Sequence, residues 1–352
     1  MITGIVCEFN PFHKGHKYLI NSVKTSENDA VICCMSGNFV QRGEFAVYDK
    51  FKRAETAIQN GADLVIELPT VFSTLSAEGF CKAGVQLIEA TGIADRIAFG
   101  AENDNLEDLK EIAEKLKDNN IQKEIANEMK SGISFPKARS NVLKTETLDY
   151  PNNILAVEYL KAASLPCCAV KRIGKGHDTD DKEYSASAIR NTLDVNEISS
   201  IYHCETAVLS KLRTMHADDF KKITDVSEGL ENKIEKAVKE ATSLNELYDL
   251  IKSKRYTHSR IRRIILRAYL GIESTPEEAP YIRILGFNET GKELLSKMKK
   301  NASKPIVTKM KDCSEETMDF FKQECGFTDL YNLGFKKPLP CGTEQRSKIA
   351  II

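Results

Sequence analysis

Five short apolar runs, separated by stretches of helical periodicity, restrict the first 172 residues to one class of fold. The runs span residues 2–7, 30–35, 62–68, 96–99 and 167–173. Between them, residues 16–23, 48–59, 77–91, 106–117, 123–130 and 154–163 place apolar side chains at helical spacing. A strand with one wet face alternates apolar and polar residues, whereas a continuous apolar run must be covered on both faces. Apolar strands alternating with helices therefore predict a parallel sheet with helices on each side, and right-handed crossovers wind it doubly. The expected fold class is α/β, a doubly wound parallel sheet followed by a mainly α-helical C-terminal region. Such sheets bind ligands beyond the carboxyl ends of their strands, where the strand order reverses.

After Ile173 the texture changes. Residues 174–181 are rich in glycine and acid, residues 187–270 favour helix, and Pro276 and Pro280 end that stretch. Residues 281–286 read as strand again, before a lysine-rich helix near 292–300 and an extended piece at 305–308. A chain of 352 residues exceeds the usual single domain. The expected division is an ATP-binding domain at 1–180 and a mainly helical domain at 181–352, the latter with a short α/β segment after about 280.

With 41% hydrophobic and 29% charged residues, the composition is that of a globular protein. The net charge of −1 provides no global field for a nucleic acid, so such a partner needs a local basic patch. Ten cysteines include the adjacent pairs Cys33-Cys34 and Cys167-Cys168 inside apolar runs, and no Cys-x-x-Cys occurs. Buried, reduced thiols and no metal site are the expectation. No apolar stretch approaches the ~20 residues of a membrane-spanning helix, and residues 1–8 lack the basic segment of a signal peptide. These features predict a cytoplasmic protein with no membrane partner.

At the end of the first run, Glu8-Phe9-Asn10-Pro11-Phe12 leads into His13-Lys14-Gly15-His16, which opens a helix. Histidines three apart at a helix start share a face. Unpaired N–H groups and the positive dipole end lie at the same place and favour phosphate. Gly15 leaves room for a nucleotide, and imidazoles donate hydrogen bonds to phosphoryl oxygens as charge grows there. The bland alternative is a strand-turn-helix unit with two incidental histidines. Asn10-Pro-Phe-His13-x-Gly-His16 resembles the signature of the HIGH-type nucleotidyltransferase superfamily. That resemblance implies ATP binding and transfer at the α-phosphate with pyrophosphate leaving.

A second phosphate-binding element is expected after the last core strand. Tyr184-Ser185-Ala-Ser187-Ala-Ile-Arg190 offers hydroxyls and a guanidinium at a helix start, against the alternative of an ordinary serine cap. Gly100 ends the fourth run and Asn152 starts a helix. Arg172 lies near the end of the fifth run, where a cation faces phosphates.

Further segments join these: 35–43 (Met-Ser-Gly-Asn-Phe-Val-Gln-Arg-Gly), 61–69 (Gly-Ala-Asp-Leu-Val-Ile-Glu-Leu-Pro), 151–155 (Pro-Asn-Asn-Ile-Leu) and 255–257 (Arg-Tyr-Thr). Together with the histidine motif they resemble the bacterial tRNA(Met) cytidine acetate ligases over essentially the whole chain. The resemblance implies activation of acetate by ATP to acetyl-adenylate. The acetyl group then passes to the exocyclic amine of the wobble cytidine of elongator tRNA(Met). By position it assigns ATP contacts to Val6, Cys7, Glu8, Phe9, Asn10, Pro11, Phe12, His13, Lys14, Gly15, His16, Lys17, Tyr18, Leu19, Gly100, Asn152 and Arg172. His13 and His16 are the catalytic pair, and Mg²⁺ is expected to accompany ATP. One departure is the loop after Arg172, where the family has a tyrosine and this chain reads Gly174-Lys-Gly-His177-Asp178.

An enzyme of this kind needs a surface for tRNA. Lys252, Lys254, Arg255, Arg260, Arg262, Arg263 and Arg267 occupy residues 251–267 with no acidic residue among them. Arg260, Arg263 and Arg267 fall at helical spacing, which predicts one cationic stripe on RNA phosphates. Lys292, Lys297, Lys299, Lys300 and Lys304 form a second basic run. Two other readings remain: a small-molecule adenylyltransferase or acetate-activating ligase with a non-RNA acceptor, disfavoured by the basic helix, and a non-catalytic tRNA-binding protein, disfavoured by the intact histidine pair.

Overall fold

Residues Ile2–Cys7 carry no charged side chain and form β1, the middle of five parallel strands. In the computed structural model, which describes residues 1–173, 185–227 and 229–352, β1 pairs with β2 (Ala30–Ser36) and β6 (Arg96–Ala101). Outside these lie β5 (Leu64–Leu68) and β7 (Cys167–Lys171), again parallel. The order β5-β2-β1-β6-β7 reverses direction at β1, which opens a crevice at the carboxyl ends of β1 and β6.

Alternation along each strand divides the core between the two faces. Val6, Ile32, Cys34, Ile66, Ile97 and Phe99 pack with Phe80, Val85 and Ile88 of the helix Ala77–Ala90. Ile5, Cys7, Cys33, Val65 and Ala98 pack on the other face. There they meet Ile20 and Val23 of the helix Lys14–Val23 and Ala54, Ala57 and Ile58 of the helix Lys50–Gln59. All ten cysteines are free thiols. No described helix is long and apolar enough to cross a membrane.

The helix-rich stretch after residue 200 contains the helices Glu205–Arg213, Leu230–Glu240, Leu244–Ile251 and His258–Leu270. The chain then returns to the first sheet, which differs from the expected division. Strand β8 (Ile282–Phe287) pairs antiparallel with β5, and β9 (Ile306–Val307) and β10 (Ala350–Ile351) run beside β8. The strand signal at 281–286 is local, but its partner, some 220 residues earlier, is a long-range matter that local pattern does not carry. The small hairpin of β3 (Phe39–Val40) and β4 (Glu44–Phe45) and the helix Phe135–Leu143 had no counterpart in the reading by periodicity.

The returning segment is fastened by buried charge. Lys50, 1% exposed, lies 2.8 Å from Glu67 on β5 and 2.8 Å from Glu344 near the C-terminus. Arg283 of β8 approaches Glu344 at 3.4 Å, and Glu324 accepts from the Thr70 N–H and hydroxyl. Such a network is costly to leave half-made, because an unpaired ion then remains in a medium that solvates it poorly. Lys50→Met is therefore expected to cost about 3–5 kcal/mol in urea unfolding. Adding Glu344→Gln to it should recover part of that loss.

Candidate active site

The loop after β1 is tied down from several directions. The Asn10 side-chain oxygen accepts from the Val47 N–H at 2.8 Å, and the Asn10 carbonyl accepts from Arg190 at 2.7 Å. Phe9, fully buried, takes a positive φ of 47°, and the Asn10-Pro11 peptide is cis. His13 then caps the helix Lys14–Val23, so the helix begins two residues earlier than the periodicity indicated. Its Nδ1 accepts from the Gly15 N–H at 3.1 Å, and His16 Nδ1 accepts from the His13 N–H at 3.2 Å. The two rings stack with centroids 3.6 Å apart, Phe9 meets His16 in an edge contact and Phe12 lies tilted against it.

This reciprocal cap decides the tautomers. A neutral imidazole whose Nδ1 accepts carries its proton on Nε2, so the cap fixes both rings as the Nε2–H tautomer. Burial, then the neighbouring His13 and Arg172, hold His16 well below the ordinary histidine pKa. It is a neutral donor at physiological pH.

Across the crevice, Gly100 on β6 has no side chain, and a Cβ there would touch the Arg172 stem at 3.4 Å. Arg172 donates to the Asn152 side-chain oxygen at 3.0 Å, and Asn152 donates to Glu102 at 2.6 Å. The adjacent Asn153 is buried and receives the Glu102 and Asn103 N–H groups, each at 2.9 Å. Glu102 and Asn153 were not singled out from sequence, although both sit beside residues that were. Their signal was position at a strand end and at a helix start.

Ser185 caps the short helix Ala186–Arg190 by accepting from the Ala188 N–H, so the ordinary capping role applies to it. Ser187 instead accepts from Arg190, whose other nitrogen reaches Asn10. This joins the second element to the histidine loop. Tyr184, His177 and the rest of the loop 174–183 lie outside the described residues.

The side chains of Val6, Cys7, Phe9 and Pro11 are in the core, which leaves their main chain to face a ligand. Lys14, Lys17 and Tyr18 are exposed, and Leu19 is half-buried against the second core cluster. Arg53, missed from sequence, is fully buried and donates to the carbonyls of Glu8, Gly37 and Tyr48.

The cationic stripe is corrected. Arg267 is 1% exposed and donates to Val71 O, Thr74, Thr224, Ser274 O and Thr275. Arg263 is buried 3.7 Å from Asp225, and Arg260 donates twice to the Asp225 carbonyl. Spacing put these three on one face, but that face is the one turned inward. Ile261, Ile264 and Ile265 share the interior with them. Arg255 is half-buried, whereas Lys252 and Lys254 are exposed.

Comparison with known proteins gives one consistent result. The sequence profile of the HIGH Nucleotidyl Transferases matches residues 1–346. A Thermoanaerobacter protein named tRNA(Met) cytidine acetate ligase is 37% identical, over 97% of this chain and 98% of its own. A Clostridium novyi protein of the same name is 38% identical over 90% and 92%. The crystal structure of Thermotoga maritima TmcAL bound with alpha-thio ATP superposes with a TM-score of 0.89 at 31% identity, covering 100% of this chain and 99% of that one.

Two outcomes follow from this geometry. In a proton-detected NMR titration, His16 should stay neutral as pH falls past 6.5 and protonate only well below it. Because the unfolded chain protonates this histidine at its ordinary pKa, the stability it contributes is present above pH 6.5 and drains away from there down until His16 itself protonates. Arg267→Met should lower the stability measured in urea by about 2–4 kcal/mol, the scale for stripping donors from buried acceptors, while leaving the salt slope of RNA binding as it was.

Proposed function

This chain belongs to the HIGH nucleotidyl transferases, and among them to the tRNA(Met) cytidine acetate ligases, and we propose from that membership what its site does. It is an enzyme that uses ATP to activate acetate as acetyl-adenylate, then acetylates the wobble cytidine of elongator tRNA(Met) on its exocyclic amine.

The observation that carries the chemistry is the stacked His13–His16 pair at the switch point of the sheet, with Arg172 and Arg190 on either side. In the first half-reaction an acetate oxygen attacks the α-phosphorus and pyrophosphate leaves. Charge grows on the phosphate oxygens at that moment. The two Nε2–H groups are held in place before the reaction and meet that charge without reorganisation. Arg172 and Arg190 add fixed positive charge, with Arg190 pinned to the main chain of the histidine loop. Gly100 supplies the flat approach for the nucleoside. Among the described residues no group of three or more His, Cys, Asp and Glu side chains converges to hold a metal. Mg²⁺ in this reading arrives on the triphosphate, bound by phosphate oxygens and water.

Support for an RNA acceptor now rests on the relatives' names rather than on the arginine stripe, whose burial removes it from the argument. Exposed Lys252 and Lys254, with Lys292, Lys297, Lys299 and Lys300 on the Glu289–Asn301 helix, are the cations left for the tRNA backbone. A small-molecule adenylyltransferase would use the same histidines, so the acceptor must be tested directly.

The purified protein should catalyse ATP–pyrophosphate exchange only when acetate is present, without RNA. With elongator tRNA(Met) transcript added, N4-acetylcytidine should appear on nuclease digestion and mass analysis. His16→Ala should lower the exchange rate about 10²–10³-fold, as for a lost transition-state donor, with a much smaller change in ATP affinity. Exchange that ignores acetate, or normal exchange by His16→Ala, would overturn this assignment.

A further inference from the structure

The side chain of Glu8 leaves β1 at the mouth of the crevice, immediately before the histidine loop, and remains partly exposed. One carboxylate oxygen, Oε1, accepts from the Gln41 N–H at 2.6 Å. Among the described residues Oε2 has no hydrogen-bond partner. The Glu8 main chain is held as well, since its carbonyl accepts from Arg53. The ATP contact that the resemblance assigns to position 8 is one for the main chain, because a carboxylate with one oxygen unpaired would repel the triphosphate; the side chain is left for another task.

The group that holds Glu8 belongs to a three-residue turn, Gln41-Arg42-Gly43, between β3 and β4. Gly43 closes the turn by donating to the Val40 carbonyl at 2.9 Å with φ +76°. A Cβ on Gly43 would lie 2.4 Å from the Arg263 nitrogen, so the turn is seated on the backbone of the His258–Leu270 helix. Glu44 pairs with Arg262 of that helix at 2.6 Å. At the tip, Arg42 is exposed and makes no hydrogen bond or ion pair among the described residues. Its charge is felt at both Glu8 and Arg190.

A carboxylate held by the Gln41 N–H and the guanidinium of the next residue, Arg42, offer an acceptor and a fork of donors that complement the pairing edge of cytosine. That edge presents the N4 amine as donor and N3 and O2 as acceptors, and carboxylates are the usual acceptors for cytosine N4. We propose that Glu8 and Arg42 form the subsite for the acceptor cytosine, with Glu8 receiving the N4–H bond and then its proton. This rests on the acetyl-transfer reading above. N4 attacks the acetyl carbonyl carbon, the carbon–oxygen bond to phosphate breaks, and AMP leaves with that electron pair. The proton lost from N4 passes to Glu8 and on to water. Uracil would place its O4 lone pairs against the carboxylate and be repelled.

Burial pushes the Glu8 carboxyl up, while the Gln41 N–H, Arg42 and Arg53 pull it back and Glu44 pushes it further up. Arg190 and Tyr159 also face its charge. A base acts in its ionised form, so transfer should slow as pH falls through this raised pKa.

The test compares two half-reactions on the full-length protein: acetate-dependent ATP–pyrophosphate exchange without RNA, and single-turnover acetyl transfer to elongator tRNA(Met) transcript across pH. Glu8→Gln keeps an oxygen for the Gln41 N–H. It should slow transfer about 10²-fold, the usual scale for a lost general base, and abolish the acid limb, with acetyl-adenylate accumulating in quenched samples. Glu8→Asp should restore the limb in part. Arg42→Gln should raise the KM for tRNA several-fold and leave the acid limb in place. Exchange and transfer falling equally in Glu8→Gln would place Glu8 in the ATP half-reaction and overturn the subsite, as would an unchanged acid limb. A wild-type protein with acetate-dependent exchange but no transfer to this tRNA would instead overturn the RNA acceptor, and the cytosine subsite with it.

Discussion

The Arg53 guanidinium joins three segments that would otherwise diverge at the carboxyl edge of the sheet. It is fully buried, and its donors go to the carbonyl of Glu8 after β1, of Gly37 after β2, and of Tyr48 just before the helix that carries Arg53 itself. Carbonyls at strand ends have no ladder partner, and burying them unpaired would be costly. A single planar fork satisfies all three. The path of the histidine loop, the start of the β3–β4 hairpin and the angle of the Lys50–Gln59 helix are thereby set together.

On that frame, the histidine motif combines two tasks in one set of atoms. Capping uses Nδ1 of each ring, and the proposed reaction calls on Nε2–H of the same rings. In that proposal the helix start and the reactive geometry are one arrangement, preorganised by the cap. Low solvation keeps His16 uncharged, so it contributes an oriented dipole rather than a mobile proton. The fixed positive charge comes from arginines brought by β7 and by the helix Ala186–Arg190.

The C-terminal third of the chain completes the first sheet rather than standing beside it. Lys50, Glu67, Arg283 and Glu344 come from four different elements, two of them more than 200 residues beyond the others, and meet with every side chain buried. The arginines of the His258–Leu270 helix illustrate the same principle. An arginine can cover apolar surface with its stem and satisfy several carbonyls with its head, so a basic helix face need not be a wet one. Here that face ties the helix to Asp225, Val71 and Thr74, while the neighbouring Arg262 pairs with Glu44 of the hairpin that carries Glu8's partner.

Much was legible in the sequence because it is local. Continuous apolar runs report strands covered twice, and the pattern Asn10 to His16 reports a strand end meeting a helix start, whatever the rest of the chain does. The same holds for Gly100, Asn152, Arg172 and Arg190, each marked by its place at the end of an element. Glu8 as a side chain with its own task, Arg53, Asn153 and the inward turn of Arg263 and Arg267 were decided only by tertiary structure. Periodicity says which residues share a helix face but carries no information about what that face will meet. Pairing of β8 with β5 is likewise decided by which surfaces remain unburied once the rest has folded. Those are properties of the assembled interior, where burial and hydrogen-bond satisfaction are settled jointly by residues hundreds of positions apart.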